Sequence, residues 1–440
     1  MINIGVGVSQ REDLIEAVVE AAKEAKERVE EPKLLIVFFT FNYPAEKYQE
    51  ALKKIKGIFP KETSLVGGSC SGFFAKDRAF DAWSTQGKVR GVGILALDSE
   101  YLNVGIGIGE GTDKNPKEAG RKAILEALDS LEYNPSVAYL AMMKKGVKDV
   151  IKIRPVNGFL LAPGLTLKHN FIDQAILEGI ASVAKRAIRL AGGGTSYGFA
   201  QTGRFSNSYQ FLNENVYEES VICCLFGSDL EIGYGTATGF KPLGPGVFVT
   251  KCGDGLIQEF NGRPAAEVLG EMLEKYAEID KEEFFKNPLA AMAQKGVALG
   301  LPEATGDFYW PQVPMQVIEK KYLLSCMSSR VGMGYSLVKV DKKDCQMATV
   351  EAAKMLGEDA GAQNFDLVLF FSCALRGFIL GEDYSKEIEK IKEVMGEKTE
   401  VFGLASVGEQ AFYKQGPLMG TDYTITMMGI SNRLVSEIVD

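Results

Sequence analysis

The sequence predicts a mixed α/β fold built from pseudo-repeated strand–helix–strand–strand units in two modules. Three observations predict it. Apolar runs of strand length stand at 34–40, 136–142 and 366–373, and each is followed by helical spacing. Each helical stretch gives way to a second strand that closes in small residues: Gly67-Gly68-Ser69-Cys70-Ser71-Gly72, then Gly192-Gly193-Gly194-Thr195-Ser196, then Gly403 through Ser406-Val407-Gly408-Glu409. A third apolar run closes each unit, at 91–97, 221–227 and 424–430. The pattern places Gly67, Gly192 and Gly403 at equivalent strand ends and gathers the three small-residue loops by pseudo-symmetry.

The elements follow in order. Ile15, Val18, Val19, Ala22 and Ala25 recur at helical spacing over 11–29, and Pro32 ends that stretch. Tyr48, Leu52, Ile55 and Ile58 mark a helix over 43–58. Strands alternating with helices argue for parallel pairing. The runs 91–97 and 103–109 are joined through Asp98-Ser99-Glu100 and read as an antiparallel hairpin; 221–226 and 231–237, joined through Gly227-Ser228-Asp229, read the same way. Both second arms carry glycine at alternate positions, which leaves one strand face bare for close backbone approach. Helices are expected over 115–131 and 171–190, a hairpin over 248–260, and a helix over 266–278. The boundary between modules falls at 260/261, with two units in 1–260 and the third in 261–440. Residues 278–314 read as irregular because of Pro288, Pro302, Pro311 and Pro314. Strands at 323–326 and 335–340 and a helix over 346–361 complete the pattern.

Composition excludes several classes of function. The net charge of −9, without a basic stripe, argues against nucleic acid as a partner. No segment approaches the roughly 18 apolar residues of a membrane span. The first residues lack the features of a signal peptide, so a cytoplasmic location is expected. Seven cysteines without CxxC spacing fit reduced thiols. The single histidine, His169, leaves no imidazole set for a catalytic triad or a histidine-based metal site. His169 reads as a residue flanking the helix near Asp173. No metal, no cofactor and no catalytic residue are expected.

Taken in order and spacing, these residues resemble the FIST family. Phe38-Phe39, Gly67 to Gly72, Ala191-Gly192-Gly193, Tyr209-Gln210-Phe211 and Gly262-Arg263-Pro264-Ala265 are similar to its N-terminal module. Phe371 to Gly377, Gly403 and Gly408-Glu409 are similar to its C-terminal module. The resemblance implies an intracellular small-ligand sensor, with amino acids among the ligands and kinases or chemotaxis domains as frequent fusion partners. No such domain is recognised in the 440 residues, so the output is expected to pass to a separate signalling protein. Two positions depart from the family pattern: Asn261 replaces the usual Asp, and Thr421-Asp422-Tyr423 replaces a His-Asn pair.

The candidate ligand site collects the polar residues at the strand ends. Ser69, Cys70, Ser71, Thr195 and Ser196 could cradle a carboxylate or phosphate with hydroxyls and backbone amides. Ser372, Cys373 and Arg376 follow a buried strand, where ligands of open parallel sheets bind. Arg376 suits planar capture of a carboxylate; pairing with Glu382 or Asp383 is the competing reading. Ser406 and Glu409 are the third counterpart, with Glu409 placed to receive an ammonium. Arg204 and Tyr209 follow the second loop. Two other classes stay open: a thiol- or amide-acting enzyme using Cys373 or Cys70, and an interaction scaffold without a closed pocket.

Overall fold

The computed structural model describes residues 1–81, 89–133, 143–144, 156–164, 173–184, 188–197, 207–253, 255–304, 306–325, 329–414 and 416–434. Among these, the strands form four sheets, and three of them share one plan. In each, a parallel pair is joined by a helix and bordered by an antiparallel third strand. The first pair is Leu34–Thr40 with Ser64–Cys70, bordered by Val92–Asp98. The second is Val156–Pro163 with Arg189–Thr195, bordered by Ser220–Ser228. The third is Leu367–Cys373 with Glu400–Ser406, bordered by Ile425–Leu434. Gly67, Gly192 and Gly403 pair with Val37, Leu160 and Phe370, at the same step of each ladder. The repeat is therefore real at single-residue register.

Each parallel pair is buried on both faces, which is why its strands read as unbroken apolar runs. Leu34, Ile36 and Phe38 enter a core shared by all three sheets, while Leu35, Val37 and Phe39 pack beneath helices. Phe159 and Leu161 enter that shared core from the second sheet, and Leu369 and Phe371 from the third. Phe38 stacks on Phe402 across the centre at 5.5 Å. The helices lie outside, capped as their sequences dictate. Asp13 accepts from the Ile15 and Glu16 amides, and Asp341 from the Asp344 amide.

A hairpin exchange closes the three sheets into a ring. The hairpin Gly72–Ala75/Arg78–Asp81 leaves the first unit and pairs with Glu400–Ser406 of the third. Tyr209–Leu212/Asn215–Glu218 leaves the second and pairs with Ser64–Cys70 of the first. Glu409–Ala411/Met419–Thr421 leaves the third and pairs with Arg189–Thr195 of the second.

The expected hairpins 91–97/103–109 and 221–226/231–237 do not form. Val92–Asp98 pairs within the first sheet, whereas Leu102–Glu110 crosses to pair with Ser220–Ser228 of the second. Leu230–Ala237 likewise crosses to pair with Ile425–Leu434 of the third. The glycine strands thus open the next unit rather than close the last. Their bare faces do receive a helix. A Cβ on Gly105, Gly107 or Gly109 would strike the carbonyl oxygens of Ala127, Ala123 and Ala119, and one on Gly233 or Gly235 those of Leu356 and Ala352. Asn3–Ser9 does the same in the first unit, through Gly5 and Gly7 against Ala25 and Ala21.

The run 136–142 lies outside the described residues, as does His169. The described first strand of the second unit's parallel pair is Val156–Pro163, which the sequence reading passed over. The fourth sheet, built from residues between Lys241 and Lys339, enters the third unit between its glycine strand and the helix Lys342–Ala360. The supposedly irregular stretch 278–314 holds helices Lys281–Lys286 and Pro288–Gln294 and strands Val297–Pro302 and Tyr309–Gln312. Its prolines are placed where they cost little. Pro288 opens a helix, where its missing N–H has no intrahelical partner anyway, and Pro311 lies on an edge strand. The expected hairpin over 248–260 is present as Lys241–Gly253 paired with Leu256–Phe260.

Candidate functional site

The parallel ladders end in the pairs Thr40/Cys70, Pro163/Thr195 and Cys373/Ser406, and the second of these ends is bonded to the first and to the third. The Ser196 amide donates to Ser69 O at 3.0 Å, and Ser71 Oγ and Ser196 Oγ share a hydrogen bond of 2.7 Å. The Gly194 amide donates to Gly408 O at 2.8 Å, and the Val407 amide to Gly194 O at 3.0 Å. The first and second units, and the second and third, are therefore stitched together at their small-residue loops. Glycine permits it: a Cβ on Gly194 would collide with Val407 O.

The exchanged hairpins place one further residue at each end. Gln210 pairs with Gly68, Glu409 with Gly193 and Phe73 with Leu404, so these three are pseudo-equivalent. Gln210 Nε2 donates to Thr195 Oγ1 at 2.7 Å, and its Oε1 accepts from the Ser220 amide at 3.1 Å. Glu409 Oε1 accepts from Ser406 Oγ at 2.7 Å, and its Oε2 from the Thr424 amide at 3.2 Å. The same connection is made twice: from the end of the second strand, through one side chain, to the start of the third. In the first unit Phe73 fills the place, fitted against Gly91 and Gly93. Ser208 joins the network through Thr195 Oγ1 at 2.6 Å. Gln210 and Ser208 were missed as site residues, although aligning the repeats sets Gln210 beside Glu409.

Ser69, Cys70, Ser71, Thr195, Ser196, Ser406 and Glu409 are all fully buried. Glu409 has no cation among its hydrogen-bond partners. Burial pushes its carboxyl well above the ordinary value, and the nearby Asp422 adds to the rise. That shift favours the acid form, the isostere of Gln210.

Arg376 does not join this group. Its Nε donates to Glu387 Oε1 at 2.8 Å, and its Nη2 reaches Cys345 O at 2.8 Å and Thr349 Oγ1 at 3.0 Å. Nη1 lies 3.5 Å from Tyr423 O. The guanidinium is fully buried between helices and neutralised, so the expected carboxylate clamp opposite Glu409 is corrected to a structural ion pair. Neither Glu382 nor Asp383 is its partner; Asp383 is held by Lys342 and Lys386. On the same strand Phe371 faces the shared core and Phe370 the helices, so alternation sends Ser372 to the helix side. Ser372 Oγ makes no hydrogen bond among the described residues. Arg204 lies outside the described residues. The Tyr209 amide donates to Ser69 Oγ at 3.2 Å.

Cys70 and Cys373 are buried thiols whose pKa burial pushes up, the reverse of an activated nucleophile. Cys70 Sγ points at Phe39 O, 3.5 Å away. All six described cysteines are free. No group of described residues has the makings of a metal site.

None of the curated proteins matches the chain. Among solved structures, cyanuric acid hydrolase from A. caulinodans is 10% identical with a TM-score of 0.37, over 98% of this chain and 100% of that one. PurLQS from Thermotoga maritima is 10% identical with a TM-score of 0.22, over 98% of this chain and 73% of that one. Residues 33–263 match the FIST N domain and residues 265–412 the FIST C domain. The chain belongs to the FIST family, whose domains are small-ligand sensory modules of signalling proteins.

Proposed function

We propose that this protein is a sensor for an amino acid or another small carboxylate, and that a separate protein receives its output. The observation that carries the reading is that the buried polar strand end of the second unit is hydrogen-bonded to that of the first on one side and to that of the third on the other. A ligand that replaced the Ser71–Ser196 and Ser406–Glu409 hydrogen bonds would touch all three units at once. Ser69, Ser71, Thr195, Ser196 and Ser406 supply hydroxyls and Glu409 a carboxyl, with Cys70 and Cys373 as neutral walls. Signalling then follows from a change in how the units are stitched together. No helix among the described residues is long and apolar enough to cross a membrane.

The charge state of Glu409 distinguishes the two ligand classes. An ammonium group is stabilised by the ionised form, so binding it takes a proton from Glu409 and tightens as pH rises. A carboxylate without an ammonium accepts from the neutral acid, so its binding weakens as pH rises. The test is calorimetric titration of amino acids and small carboxylates into the wild type, Ser196→Ala and Ser406→Ala. The reading requires at least one compound whose affinity falls in both variants. Equal affinity in all three proteins would place the ligand elsewhere.

A further inference from the structure

We propose that a groove between the helix Asp173–Ala184 and residues Phe412, Lys414 and Gly416 to Leu418 binds an organic acid with an apolar body. The groove has a volume of about 390 Å³. Leu177, Ile180, Ala184, Ile188 and Leu418 form its apolar wall. From Gln174 to Ala184 the helix runs for about 15 Å, at roughly 1.5 Å per residue. The Arg189 end of the groove is separate from the strand ends, since Arg189 and Thr195 stand at opposite ends of one strand, about 20 Å apart at roughly 3.3 Å per residue; the Gln174 end adjoins them, Asp173 accepting from Gln410 Nε2 at 2.7 Å.

Two polar side chains in the lining have hydrogen-bonding capacity to spare. Arg189 is only 7% exposed. Its Nη1 pairs with Asp359, and the Phe412 ring lies 4.7 Å from its Cζ. Its Nη2 has no hydrogen-bond partner among the described residues. Gln174 Oε1 is likewise buried without one. An unmet buried donor is unfavourable and gains most from a strong acceptor, and the guanidinium fork matches a carboxylate. The other charges in the lining are paired. Lys414 is held by Asp307 at 3.2 Å, and Glu178, the acid in the lining, is answered by Lys117 at 3.6 Å and Arg330 at 3.8 Å. The arrangement seats a carboxylate at Arg189, an aliphatic body along the helix, and a ligand donor, where one exists, at Gln174.

Octanoate is the probe, titrated into the full chain by calorimetry, with 1-octanol as the neutral control. Octanoate should bind, and 1-octanol should bind about tenfold more weakly or worse, the scale of one charge-assisted hydrogen bond. Ala181 lines the groove from an exposed helical position, so Ala181→Phe should fold normally and block octanoate. Arg189→Gln should weaken octanoate by about tenfold or more while leaving 1-octanol unchanged. The proposal is overturned if octanoate does not bind, if Ala181→Phe binds it as the wild type does, or if 1-octanol binds equally well. Each of these results leaves the reading of the strand ends to its own test.

Discussion

Glu409 and Arg376 show what single residues do here. Glu409 is a carboxyl occupying the place that glutamine fills in the neighbouring unit, and burial favours its protonated form. Its folded pKa is raised above the ordinary 4.5. Its contribution to stability is therefore complete below that value and is lost as pH rises toward the folded pKa. Across that window the loss is about 1.4 kcal/mol per pH unit for one proton. Urea denaturation from pH 5 to pH 8 should show Glu409→Gln gaining on the wild type as pH rises; parallel curves would mean that Glu409 is ionised in the fold. Arg376→Ala strands Glu387 as a buried, unpaired carboxylate. It should cost about 3–5 kcal/mol, read from the same urea midpoints. That the small-residue loops lie together was legible in the sequence, because they recur at repeated strand ends; that Glu409 is buried and bonded to Ser406 was not. Nor was the partner of Arg376. Glu387 lies 11 residues on, in another helix, and only the packing of Lys386–Met395 brings it back.

At the scale of elements, the alternate-glycine strands carry the most information. Their sequence announced close approach to a backbone, and each lies directly on helix carbonyl oxygens. Gly235→Ala should therefore destabilise by about 1–3 kcal/mol or more, since both backbones would have to move apart. Gly246→Ala, whose new methyl would meet only ordinary contacts, should change the melting temperature little. What the sequence could not supply was pairing. A short link between apolar runs reads as a hairpin turn, yet so short a link carries the chain from one sheet to the next. Period-2 alternation states which face is buried and says nothing about which strand lies alongside. The first strand of the second unit escaped notice for a related reason. Its apolar core, Phe159-Leu160-Leu161-Ala162, is short and ends in Pro163-Gly164, which reads as a loop signal.

At the scale of the whole molecule, the ring of exchanged hairpins makes the two family domains interdependent. The first unit's hairpin completes the third sheet, and the third unit's hairpin completes the second. Leu230–Ala237 pairs with Ile425–Leu434 across the same divide. Residues 1–260 and 261–440, expressed separately, should each lack native near-ultraviolet circular dichroism and regain it when combined; two independently folded halves would refute the exchange as a source of stability. The same closure underlies the functional claim, because a ligand at the meeting of the strand ends acts on every unit. Binding to the native state alone raises the melting temperature with ligand concentration. The most direct measurement is thus the thermal melt of the full chain against amino acids and small carboxylates up to millimolar concentration. The account predicts one cooperative transition that at least one of these compounds moves upward, with the shift diminished in Ser196→Ala and Ser406→Ala. A melt that none of them moves would contradict it.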